Sequence, residues 1–190
     1  MKRLLLAASA ALVSTSAFAH TGHGEVSGFM AGFLHPFSGA DHLLAMLTIG
    51  LWSALALPAR QVWVAPAGFV TAMLAGAGLG MAGIPLPMVE GMIAFSVLAL
   101  GLLLAFRLRL PVVAGAGLAA LFALFHGHAH GTEATGSVLG YIAGFAIATA
   151  MLHLTGVGAG EGIRRLKIAR LAAAVLGGGI ALAGLALITG

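Results

Sequence analysis

Six apolar runs, residues 38–57, 62–82, 88–106, 111–130, 137–157 and 168–189, dominate the chain. Each is close to the ~20 residues that a helix needs to cross a ~30 Å hydrocarbon core. Of the 190 residues, 61% are hydrophobic and 7% charged, with a mean hydropathy of +1.10. A water-soluble fold would lack the polar side chains to cover its surface. Helices are the only open-ended elements that satisfy their own backbone groups in lipid. The expected fold is therefore all-α: a polytopic helical membrane protein of about six transmembrane helices. The 29 glycines fit close helix approach, as in Gly76-Ala77-Gly78, Gly115-Ala116-Gly117 and Gly177 to Gly179.

The first residues read differently from the spans. Lys2 and Arg3 precede an apolar stretch from Leu4 to Val13, and Ala17-Phe18-Ala19 supplies a small-x-small cleavage pattern. Together they make a signal peptide over residues 1–19, leaving residues 20–190 as a single transmembrane helical domain with an external N-terminus. Basic residues alternate as the positive-inside rule requires of cytoplasmic connections. Arg60 lies in the first connection, Arg107 and Arg109 in the third, and Arg164, Arg165, Lys167 and Arg170 around the fifth; the second and fourth hold no Lys or Arg. In a bacterial inner membrane, Glu25, Asp41, Glu90 and Glu133 then share the external side with most of the histidines, and Glu161 is internal. The net charge of +4 reflects these clusters together with Lys2 and Arg3. They mark topology, not a nucleic-acid face.

From Val26 to Leu57 the chain is 32 mostly apolar residues, which as one helix would extend about 48 Å and overshoot the bilayer core. Pro36 and the Ser38-Gly39 pair are the expected break. The first helix should be amphipathic or half-inserted, with a turn near residues 35–39, before the first full span. Broken helices at membrane depth are common homes for ion sites, because the freed backbone groups must line a cavity or meet a ligand.

Two segments carry the chemistry. The first is His35-Pro36-Phe37-Ser38-Gly39-Ala40-Asp41-His42. Ionisable groups at membrane depth are expensive unless they are partnered or functional. In an unbroken helix His35 and His42 would stand about 10 Å apart along the axis, too far to share one metal at ~2.1 Å bonds. Either the break folds His35 back towards Asp41 and His42, or His35 serves a separate access site. The second segment is Phe125-His126-Gly127-His128-Ala129-His130-Gly131-Thr132-Glu133. His126 and His130 are four apart and share a helix face, the spacing of a chelating pair, and Glu133 follows on nearly the same face. His128 points elsewhere, to a neighbouring helix, a ligand it supports or a relay.

A single histidine in a membrane helix is usually a hydrogen-bonding packer. Five histidines with Asp41 and Glu133, in two segments placed on one side, favour a cation site. Glu90 either adds an oxygen ligand or caps a helix N-terminus, the simpler reading. His153 is either an exit-path ligand or a structural hydrogen bonder, again the simpler reading. At the cleaved end, His20 and His23 with Glu25 form either a loose capture arm or an uninvolved tail. The third mature position lacks the histidine of the square-planar amino-terminal copper and nickel motif. With no cysteine, disulfides and thiolate ligands are excluded, and imidazole, carboxylate and backbone oxygen remain.

The signal peptide, His35-Pro36-x-x-Gly39-x-Asp41-His42 and Phe125-His126-Gly127-x-Ala129-His130-Gly131-x-Glu133 together resemble the HupE/UreJ family of small nickel permeases. The resemblance runs over essentially the whole chain and includes the number of spans. It implies inward movement of Ni²⁺ by a protein associated with nickel supply to hydrogenase or urease. It also implies His35, Asp41, His42, His126, His130 and Glu133 as the metal residues; His128 fills a variable position.

Imidazole and carboxylate also suit Co²⁺, Zn²⁺ and Cu²⁺, with copper the strongest competitor. Protons compete for imidazole near its ordinary pKa of about 6.5. No phosphate-binding loop is present, so uptake would be secondary, drawn by the membrane potential at roughly 4.6 kcal/mol per 100 mV for a divalent cation. No catalytic cofactor is expected. The partners are the bilayer and the cation, without nucleic acid, and the sequence is compatible with a homo-oligomer. Two other classes compete: a membrane metalloenzyme of zinc-hydrolase type, and a non-conducting metal-binding accessory or sensor. His126-x-x-x-His130 lacks the glutamate of H-E-x-x-H, which disfavours a metalloprotease.

Overall fold

The apolar runs become helices that supply their own backbone hydrogen bonds. The computed structural model describes residues 28–190; the signal segment and His20, His23 and Glu25 lie outside the described residues. Among the described residues seven α-helices follow in order: α1 (Phe29–Ser38), α2 (Ala40–Ala56), α3 (Val64–Met81), α4 (Val89–Ala105), α5 (Val112–Thr132), α6 (Val138–Arg164) and α7 (Ala169–Thr189). A 3-10 turn, Ala59–Gln61, leads into α3 and makes a span of 23 residues, Ala59–Met81. With α5, α6 and α7, four helices among the described residues are long and apolar enough to cross a membrane, and the α1–α2 pair counts as a broken fifth. Helix α4 has 17 residues, about 25 Å at a 1.5 Å rise, the short end of the spanning range.

The predicted break is present, and its location is narrower than the sequence implies. Helix α1 continues through His35 and Pro36 to Ser38, and the chain bends by 84° between α1 and α2. Gly39 alone leaves the helix, in extended backbone at φ −104° and ψ 124°. The Ser38 hydroxyl donates to the His35 carbonyl at 2.6 Å and satisfies one carbonyl at the end of α1. A Cβ at position 39 would stand 2.6 Å from Asp41 Oδ1 and 3.3 Å from His42 Nδ1. Glycine there leaves room for the Asp41 and His42 side chains, while the backbone conformation itself is open to any residue.

Helix α2 sits at the centre, packed on α6 and α4 and touching α3 and α7. The closest pairing in the bundle joins α3 to α5. A Cβ on Gly127 would lie 1.9 Å from the Met73 carbonyl oxygen, and one on Gly131 2.2 Å from that of Ala77. This backbone-to-backbone packing holds the last turns of α5 inside the protein, and every residue from His126 to Gly131 is buried. The predicted glycine triplets split by face. Gly76, Gly115 and Gly177 meet neighbouring groups as expected, whereas Gly78, Gly117, Gly178 and Gly179 face open space. Consecutive helical residues point 100° apart, so one helix face rarely uses neighbouring glycines together.

Hydrogen bonds fix which connections share an end of the bundle. The Trp52 indole donates to the Leu108 carbonyl at 2.9 Å, joining the end of α2 to the Arg107–Arg109 connection. At the opposite end the Gly28 N–H donates to the Thr135 carbonyl at 3.0 Å, and His128 Nε2 lies 2.8 Å from the Ile84 carbonyl. Large apolar side chains such as Val113, Leu139, Leu171 and Leu182 are exposed on the outside, as lipid contact requires.

Candidate metal centre

The bend at Gly39 turns α1 so that His35 comes back over His42, and the buried end of α5 meets both from below. One ring nitrogen each from His35, His42 and His130 lie within 4.8 Å of one another. Nitrogens sharing one cation at ~2.1 Å bonds stand at most roughly 4.2 Å apart. Closure onto an ion therefore needs small side-chain movements and no change of helix packing. The ring centroids of His35 and His130 are 4.6 Å apart, those of His42 and His130 4.8 Å, and those of His42 and His126 4.6 Å. His126 thus adjoins the triad on its inner side. Of the two arrangements open to His35, the geometry has it folded back onto His42.

Exposure falls steadily inward. The side chain of Glu133 is 60% exposed and stands at the rim, with Oε2 3.3 Å from His35 Nε2. His35 is 23% exposed and His42 10%, while His126 and His130 are fully buried. Glu133 follows the last turn of α5 and is held there by its N–H bond to the Ala129 carbonyl. The result is a funnel with a carboxylate at its mouth and imidazoles below.

Hydrogen bonds assign the free nitrogen of two of the rings. Asp41 Oδ1 accepts from the His42 backbone N–H at 2.7 Å and stands 2.8 Å from His42 Nδ1. An ionised carboxylate accepts only, so Nδ1 carries the proton and Nε2 the lone pair. Asp41 is therefore used in orienting His42. The Ser96 hydroxyl donates to the Ile93 carbonyl at 2.6 Å and lies 3.0 Å from His126 Nε2. Its one proton is committed, so it accepts from Nε2–H and leaves the lone pair on Nδ1 of His126. His42 Nε2, His126 Nδ1 and both nitrogens of His130 are buried without a hydrogen-bond partner. Phe145 stacks on His130 at 5.0 Å, with the rings 1° from parallel.

The remaining candidates lie apart. His128 donates to the Ile84 carbonyl and ties α5 to the α3–α4 connection. Glu90 is exposed in the first turn of α4, where the helix dipole favours it. His153 is buried on α6 with its ring 5.0 Å from that of Phe69. Ser96, Tyr141 and Phe145 belong to the surroundings of the cluster and were not read from the sequence. Two signals were available: Ser96 is an isolated hydroxyl within the apolar run of α4, and Tyr141, whose buried hydroxyl has no partner, is the chain's single tyrosine.

The fold and site define a class: multi-pass helical membrane proteins with an imidazole funnel at one end of the bundle. Within that class the chain belongs to the HupE/UreJ family. The profile described as HupE / UreJ protein matches residues 7–187. The chain is 42% identical over 193 residues to Protein HupE of Rhizobium leguminosarum bv. viciae, with 100% of each chain covered. No solved structure matches it.

Proposed function

We propose that this chain is a secondary permease of the bacterial inner membrane that takes up a divalent transition-metal ion, nickel foremost, through the histidine funnel at its external side. The observation that carries this reading is the set of partnerless buried nitrogens on His42, His126 and His130. A buried polar atom without a partner costs about 1–3 kcal/mol, and a cation received by these nitrogens would offset that cost. The proposed ligands are the triad of His35, His42 and His130, whose ring nitrogens approach within 4.8 Å, with His126 adding Nδ1 from the inner side and Glu133 receiving the cation at the rim. Asp41 and Ser96 hold two of the rings in the required tautomer. Nickel as cargo rests on the resemblance of both motifs to nickel permeases, and nitrogen and oxygen donors without thiolate suit it.

The test is uptake of radiolabelled Ni²⁺ by nickel-starved cells producing the wild type or His42→Ala at matched surface levels, with Co²⁺, Zn²⁺ and Cu²⁺ as competitors. Accumulation by the wild type that disappears in the variant supports the permease. Absence of uptake by the wild type, with metal still held by the purified protein, moves the reading to a sensor or enzyme.

A further inference from the structure

Beneath the funnel lies a further histidine that the external site does not use. His153 is 2% exposed, and the lone pair of its ring meets no hydrogen-bond donor. Its surroundings on α3 and α6 are Phe69, Met73 and Thr149, all fully buried, and the Thr149 hydroxyl, one turn before His153, meets the Met73 sulfur at 3.6 Å. Packing sets its depth: a Cβ on Gly50 would stand 2.3 Å from the His153 carbonyl oxygen. Gly50 is two turns further along α2 than His42, about 12 Å towards the end carrying Arg60. Phe69 lies between the two levels, its ring centroid 5.7 Å from that of His126 above and 5.0 Å from that of His153 below. His153 itself borders a cleft of about 490 Å³ between α3 and α6, walled by Trp63, Pro66 and Val70 on one side and Ala150 and Leu154 on the other.

We propose that His153 is a second, transient cation site inside the membrane, and that the Phe69 ring is the gate between it and the external funnel. This inference rests on the permease reading and adds the route inward. A cation crossing apolar surroundings needs a donor at each stop, and His153 offers a lone pair with no competing hydrogen bond. The Phe69 ring closes the direct path between the imidazole levels and is an aromatic side chain free of backbone duties. Its rotation would connect them without moving a helix. The Met73 thioether beside Thr149 favours a borderline cation over a hard one such as Mg²⁺ at this level.

The experiment separates equilibrium binding from movement. Purified full-length protein in proteoliposomes is assayed for radiolabelled Ni²⁺ influx under an imposed potential, and in detergent for Ni²⁺ affinity by calorimetry. His153→Gln keeps the size and hydrogen bonding of the side chain but is a poor ligand; it is expected to retain the wild-type affinity while influx falls about tenfold, the loss expected of about 1.4 kcal/mol on the barrier. Wild-type influx in His153→Gln, or parallel loss of affinity and influx, overturns the relay and reduces His153 to packing. Phe69→Ala is expected to raise influx. Unchanged or reduced influx in a folded Phe69→Ala protein overturns the gate, and this variant decides the matter if His153→Gln does not fold. A wild type that neither binds nor carries Ni²⁺ removes the permease reading itself, whereas a transporting wild type indifferent to both substitutions removes only this inference.

Discussion

A neutral imidazole has one N–H and one lone pair, so the value of each histidine here depends on what occupies its other nitrogen. Ser96 fixes that choice for His126. Ser96→Ala is expected to weaken Ni²⁺ binding by about tenfold, in the range of outer-shell partners of metal-binding histidines; calorimetric titration checks it, and unchanged affinity would remove His126 Nδ1 from the ligand set. Asp41 does the same for His42. Asn at position 41 retains an acceptor for Nδ1–H while Ala does not, so Asp41→Asn should keep more affinity than Asp41→Ala in the same titration. The residue types were legible in the sequence because histidines clustered in apolar segments have few other uses. Their division of labour was not, because it depends on Ser96 and Phe145, which come from different helices and carry no sequence signal as a pair.

At the scale of elements, the fold turns on two glycine positions of opposite kind. Gly39 provides room for Asp41 and His42 at the bend, and its backbone angles suit alanine. Gly39→Ala is therefore expected to leave thermal stability nearly unchanged while lowering Ni²⁺ affinity, since the added methyl meets the Asp41 carboxylate and the His42 ring. Gly127 packs against backbone that cannot yield, with a Cβ 1.9 Å from a carbonyl oxygen. Gly127→Ala should destabilise by roughly 1–3 kcal/mol or more, read as a lowered melting temperature in detergent. Gly117→Ala, where the added Cβ meets nothing within 4 Å, should be neutral or mildly stabilising because alanine is the better helix former. The spans themselves were legible to within a few residues, since the bilayer demands continuous apolar runs. The main miss is the end of α6, expected near residue 157 and found at Arg164. Glycines and Glu161 lower the hydropathy there, but Gly160 packs against Ala54, and Glu161 pairs with Arg164 one turn on at 2.5 Å, so the helix continues.

For the molecule as a whole, direction of transport depends on which end of the bundle faces out. The hydrogen bonds place Gly28, Ile84 and Thr135 at the funnel end and Leu108 at the opposite one. Basic residues crowd that opposite end, which the positive-inside rule predicts to be the cytoplasmic one. The chain contains no cysteine, so single cysteines report orientation without background. Thr135→Cys lies at the funnel end, and Gln61→Cys and Leu166→Cys lie in the basic connections; all three positions are exposed. In intact spheroplasts a membrane-impermeant maleimide is expected to label Thr135→Cys alone, and all three after permeabilisation. That pattern sets the funnel where a potential negative inside draws a divalent cation from it to the cytoplasm, by roughly 4.6 kcal/mol per 100 mV. Labelling of Gln61→Cys and Leu166→Cys but not Thr135→Cys in intact spheroplasts would turn the funnel to the cytoplasm. The same potential would then oppose passage outward from it, and the imidazole cluster would fit a cytoplasmic metal sensor better than an uptake permease.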